Sequence, residues 1–134
     1  MTSPPSTLPT APGTRIIPSA DLIASFEEGR SFIETPEYRI GTARREGPGE
    51  VEVHVVDTDI FYVVGGTAIL VMGGEMMEPR SVGPNETRGS RIEGGETRTV
   101  GNGDVIVIPR SVPHWFKEVT TAPFVYLVIK ATAQ

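Results

Sequence analysis

The chain contains no cysteine. That excludes disulfide frameworks, thiolate metal sites and cysteine nucleophiles, so any metal must be held through nitrogen and oxygen alone. No apolar run approaches the roughly 18 residues that cross a bilayer as a helix. The first residues, MTSPPSTLPTAPGT, have no apolar stretch of the signal-peptide kind. No basic cluster stands out, and the net charge of −5 argues against nucleic acid, whose phosphates require grouped Lys and Arg. P-loop, GxSxG, HExxH and glycine-rich dinucleotide signatures are all missing. The expectation is a soluble, cytoplasmic protein whose partner is a small molecule, with neither nucleic acid nor membrane involved.

What is present fits one domain. The 134 residues, 38% hydrophobic and 22% charged, suffice for a single core without disulfides. Residues 1–14, rich in Pro, Ser and Thr, read as a flexible tail before a domain over 15–134. Ser19 to Gly29 gives the one clear helix signal, with Ser19 as N-cap, Leu22, Ile23 and Phe26 on one stripe, and Gly29 as terminator. From there on the pattern is short strands, near 37–45, 51–56, 59–64, 67–72, 96–100, 104–108, 114–119 and 124–131. Glycine-rich turns separate them. This predicts an all-β sandwich or barrel. Residues 74–95 lack periodicity and read as a long loop, either a lid over a barrel mouth or else a dimer arm or solvated excursion. Strands 51–56 and 124–131 are apolar on both faces. Their outer faces need cover from a second layer or another subunit, which predicts a homodimer.

Only two histidines occur, His54 and His114. Glu52 and His54 stand two apart, so a strand projects both from one face, and neither tolerates burial unpartnered. Asp57 and Asp59 follow at a bend, from which one of the two can swing back to join them. Arg39 or Arg44 is the expected partner if Glu52 is instead structural. Pro109 and Pro113 stiffen the turn that aims His114. Two carboxylates and one or two imidazoles form a nitrogen and oxygen set suited to a divalent first-row ion.

These segments resemble the two signature motifs of the cupin superfamily, G-x5-H-x-H-x3/4-E-x6-G and G-x5-P-x-G-x2-H-x3-N. His54 takes the place of the second histidine of the first motif. Asp59 takes that of its glutamate, which makes it the first choice and Asp57 the reserve, and Gly66 takes that of its closing glycine. Gly103, Pro109 and His114 match the second motif. The departures are Glu52 for the first histidine, Asp59 for glutamate, Ser111 for the second-motif glycine and Glu118 for its asparagine. The resemblance spans about residues 47–118. It implies a cupin double-stranded β-helix, a jelly-roll barrel with a short N-terminal helix. It also implies a divalent metal (Mn, Fe, Zn or Ni) held by His54, Asp59, His114 and Glu52. The carboxylate-rich set favours harder ions such as Mn²⁺ or Fe²⁺.

Three functions follow as expectations. The first is a metal-dependent enzyme on a small organic molecule, a dioxygenase or a Lewis-acid isomerase, cyclase or lyase, with Glu52 and His114 as its catalytic groups. The second is a non-catalytic binding module. The third is a metal-free acid–base isomerase using His114 and a carboxylate.

Overall fold

The computed structural model describes Leu8–Pro9 and residues 13–134. The tail expected over 1–14 falls mostly outside them; within it, Leu8–Pro9 (β1) pairs antiparallel with Arg15–Ile16 (β2). Helix α1 spans Ser19–Ser25. Its N-cap is Pro18, in an extended conformation, so Ser19 is the first helical residue rather than the cap. Of the expected stripe, Leu22 and Phe26 are half-buried and Ile23 is not. Ser25 is buried, its hydroxyl 2.8 Å from that of Thr42, while Ile23 is 68% exposed.

The remaining strands are β3 (Arg30–Glu34), β4 (Tyr38–Arg45), β5 (Val51–His54), β6 (Asp57–Met72), β7 (Glu75–Met77), β8 (Arg80–Gly83), β9 (Glu86–Gly89), β10 (Arg91–Glu93), β11 (Glu96–Gly101), β12 (Val105–Ile108) and β13 (His114–Thr132). All described pairings are antiparallel. Two expected strand pairs, 59–64 with 67–72 and 114–119 with 124–131, are each one long strand that bends. In β6 the bend falls at Gly65-Gly66, and in β13 at register shifts between Phe116 and Tyr126. Side chains that face inward switch from odd to even positions across the β6 bend, so Asp59, Phe61 and Val63 share the interior with Ala68 and Leu70. β6 pairs with β13 along most of its length, with β12 near its start and with β11 near its end. The result is the curled double-stranded β-helix anticipated above.

Residues 74–95 are not a plain loop. They form four short strands with two structural tasks. The β8–β9 hairpin extends the main sheet beside β5. The β7–β10 pair packs on the outer face of β5, where Val51, Val71 and Ile92 form a small second core with Met76 and Trp115. Of the valine face, Val51 is thus covered by the chain's own second layer, while Val55, just past β5, is 47% exposed.

Inside the barrel, the core is graded along its axis. One end is filled by Phe61, Phe116, Phe124 and Tyr126, whose ring centroids lie 5.0–5.7 Å apart. That spacing is the favourable range for tilted aromatic pairs. The other end is lined by ionisable groups, and His114, 6.4 Å from the Phe61 ring, marks the boundary.

Candidate metal centre

Three strands bring the four candidate residues together. β5 projects Glu52 and His54 from one face because they are two apart. β13 begins at His114, directly opposite Glu52 in register. β6 supplies Asp59 from its inward-facing positions. His54, Asp59 and His114 are 7%, 1% and 4% exposed.

The imidazoles face each other, with ring centroids 5.3 Å apart. His54 Nε2 and His114 Nε2 each lie 3.3 Å from Asp59 Oδ2. His54 Nε2 is also 3.3 Å from Glu52 Oε1. One ligand atom each from Glu52, His54 and His114 falls within 4.8 Å of the others. The outer nitrogens point away from this centre. His114 Nδ1 is 3.3 Å from the carbonyl oxygen of Val112, and His54 Nδ1 is 3.6 Å from Glu86 Oε1. Acceptors on the Nδ1 side favour a proton there and leave the Nε2 lone pairs directed inward.

Whether these residues fit a metal is answered by their unsatisfied atoms. His54 Nε2 and Asp59 Oδ2 are buried and make no hydrogen bond among the described residues. Buried polar atoms left unpaired are costly, and both point into the space between the rings. The donor set, two imidazoles and two carboxylates, suits a divalent first-row ion. The fit is therefore good.

The carboxylates are held anionic. Burial alone would raise the Glu52 pKa. The close approach of His54 and positive charge from His114, His54 and Arg45 outweigh it and hold it at about 2. Burial likewise opposes ionisation of Asp59, but contact with His114 and the ammonium of Lys130 bring its pKa below the ordinary carboxylate value.

Several functional neighbours were not anticipated. Glu52 is partnered by Arg45, at 3.5 Å, rather than by Arg39 or Arg44. Arg45 Nε also donates to the Tyr126 hydroxyl at 3.0 Å. Lys130 Nζ donates to Asp59 Oδ1 at 2.7 Å, so Asp59 offers the centre one oxygen. Lys130 is the one charge in the apolar run 124–131, which is a signal the sequence carried. Glu86 had none, because its pairing opposite His54 depends on a hairpin distant in sequence. Asp57, the reserve ligand, is engaged elsewhere, by Arg39 and by the Thr132 hydroxyl. Arg80, Arg88 and Arg91 pair with Glu50, Glu86, Glu78 and Glu93.

Two cavities flank the cluster. A chamber of about 150 Å³ touches Glu52, Asp59, His114, Arg45, Tyr126 and Lys130. A larger one, about 480 Å³, opens beside His54 between Arg39, Lys130, Val82 and Glu86. The second is of a size that takes a small organic ligand.

A double-stranded β-helix with an imidazole and carboxylate cluster inside it defines a class of small-barrel proteins. The model of the Cupin family matches residues 39–134, and the chain belongs to that family. No curated protein matches it. Solved structures similar in fold include an RmlC-like cupin of Methanocaldococcus jannaschii with a double-stranded β-helix fold (12% identity, 78% of each chain covered, TM-score 0.54). The cupin domain of Schizosaccharomyces pombe Cnp3 is also similar (15% identity, 78% of this chain and 63% of that one, TM-score 0.57). So is Pac13, described as a nucleoside dehydratase (14% identity, 81% of this chain and 80% of that one, TM-score 0.54). Its source is Streptomyces. At these identities the likeness is one of fold.

Proposed function

We propose that the chain is a metal-binding cupin enzyme acting on a small organic molecule. One observation carries this reading: two buried imidazole Nε2 atoms aim at a single carboxylate oxygen, 3.3 Å from each, in a site where His54 Nε2 and Asp59 Oδ2 have no hydrogen bond among the described residues. His54, His114, Glu52 and Asp59 would hold the ion, Mn²⁺, Fe²⁺, Zn²⁺ or Ni²⁺. Such an ion supplies oxygen activation if it is redox-active and Lewis-acid polarisation of a carbonyl if it is not.

The chain's own groups divide the remaining work. Glu52, ionised and facing the smaller chamber, is placed to accept a proton. The Tyr126 hydroxyl accepts from Arg45, which leaves its own proton to donate. Burial raises its pKa and keeps that proton in place. The aromatic end of the barrel excludes water from one side of the site.

Metal analysis of chelator-free protein tests the reading. Near-stoichiometric metal, lost in His54→Ala and in His114→Ala, is the expected result. Absence of metal, with no thermal shift on adding any of the four ions, would overturn it.

A second reading is favoured by Arg45 and Lys130, which neutralise Glu52 and Asp59 without any ion. In it, His114 and a carboxylate carry out metal-free acid–base isomerisation. Turnover that survives exhaustive chelation would select it, whereas affinity without turnover would mark a binding module. A lyase, the class to which a dehydratase belongs, falls within the first reading.

We also propose a homodimer, supported by Tyr62, Val105 and Val107, which are 45%, 64% and 56% exposed on neighbouring strands. Light scattering should give twice the 14.4 kDa chain mass. A cytoplasmic location completes the proposal and is tested by cell fractionation. Among the described residues no helix is long and apolar enough to cross a membrane.

A further inference from the structure

Arg39 on β4 and Lys130 on β13 are direct cross-strand partners. Both line the 480 Å³ cavity beside His54. Like charges placed directly opposite each other on one sheet face destabilise it unless anions lie between or beside them. Here two carboxylates do so: Asp57 pairs with Arg39 and Asp59 with Lys130.

The donor and acceptor balance of this cavity is uneven. Each acid there is already held by at least one donor. Asp57 Oδ1 accepts from the Thr132 hydroxyl at 2.8 Å and Oδ2 from Arg39. Asp59 Oδ1 accepts from Lys130, and its other oxygen faces the two imidazoles. Glu86 is held by Arg88 at 2.7 Å from the side away from His54. The cations are not used up. Among the described residues, Arg39 donates from Nη2 alone, and Lys130 makes one side-chain hydrogen bond of the three its ammonium can donate. Their side chains are 42% and 25% exposed, so the spare N–H groups are within reach of a ligand. Val56, Val82 and Pro84 add an apolar wall.

We infer that this cavity binds the carboxylate of a small organic acid, with Arg39 and Lys130 as its clamp and the rest of the molecule directed toward His54. Charge-assisted donors with no acceptor are what a carboxylate satisfies. Because each cation already has one carboxylate partner, the cavity offers donors without a large excess of positive charge. That suits a monoanion better than a phosphate dianion. The inference names the substrate class of the proposed enzyme and rests on that reading for its chemistry, though not for the binding itself.

The test uses the full chain, freed of metal with a chelator, and calorimetric titration with lactate, its uncharged amide lactamide, and inorganic phosphate. Lactate should bind saturably and at least about tenfold more tightly than lactamide, the loss expected for a charged hydrogen bond. Phosphate should bind more weakly than lactate. Arg39→Met and Lys130→Met should each abolish the preference. The double variant Arg39→Met, Asp57→Asn removes the ion pair as a unit, which guards against an effect of stranding Asp57. Equal affinity for lactate and lactamide, tighter binding of phosphate, or an unchanged preference in the folded double variant would overturn the proposal. Metal content, measured on the same wild-type preparation before chelation, keeps the two ideas apart. Metal without a lactate preference sinks the clamp alone, and a lactate preference without metal sinks the metal reading alone.

Discussion

The backbone N–H of Ser111 donates to the carbonyl oxygen of His54 at 2.7 Å. This bond ties the turn that aims one imidazole to the strand that carries the other. It joins the two motif segments before any side chain of the site is considered. Ser111 makes it from a left-handed conformation, φ 69°, at the position where the family motif has glycine. A side chain there costs about 1–2 kcal/mol of backbone strain.

Replacing Ser111 tests that strain. Ser111→Gly removes the Cβ penalty but adds freedom to the unfolded chain, so stability should stay level or rise by up to about 1 kcal/mol. Ser111→Val places a β-branched residue at positive φ and should lower stability by about 1–2 kcal/mol or more. Denaturant unfolding of both variants checks the opposite signs.

Gly66, at the bend of β6, is a harder constraint. Its φ is 78°, and a Cβ would lie 2.6 Å from the carbonyl oxygen of Thr121 and 2.8 Å from the Cα of Phe124. These are backbone atoms that cannot swing aside. Gly66→Ala should therefore cost on the order of 3 kcal/mol or more, measured by thermal melting against Gly47→Ala, which has open space around it.

Glu86 should act through His54. Glu86→Gln keeps the shape but weakens the acceptor beside His54 Nδ1. Metal affinity should fall by roughly 10–100-fold, the usual cost of losing such an outer partner. A competitive metal titration measures the fall, and Glu86→Asp should recover part of it. Nitrogen chemical shifts of the His54 ring should show a weaker preference for the Nδ1–H form in the glutamine variant.

Acid should destabilise the metal-free protein through Glu52. Its pKa is lowered on folding from 4.5 to about 2, so ionised Glu52 contributes stability above pH 4.5. That contribution, on the order of 3 kcal/mol at most, is lost as pH falls from about 4.5 to about 2. Melting temperature against pH in wild type and in Glu52→Gln should diverge above that window and converge below it.

Much of the architecture was legible in the residues. Period-two alternation and glycine turns placed most strands, because strand faces and tight turns are local properties. Two expected pairs of strands proved to be single bent strands. A bend keeps its ladder hydrogen bonds, and composition does not distinguish that from a break. The 74–95 segment was unreadable for a related reason. Its strands are three or four residues long, and their partners are β5 or each other.

The sequence by itself determined which residue types were available to the site: two imidazoles, no thiols, and carboxylates two and five positions from His54. It also set Glu52 and His54 on one face, since alternation along a strand allows nothing else. Only tertiary structure decided the rest. Strand register set His114 opposite Glu52, Glu86 opposite His54, and Lys130 between Asp59 and Arg39. Register is settled by burying one whole face of a sheet at once, so no single segment contains the information.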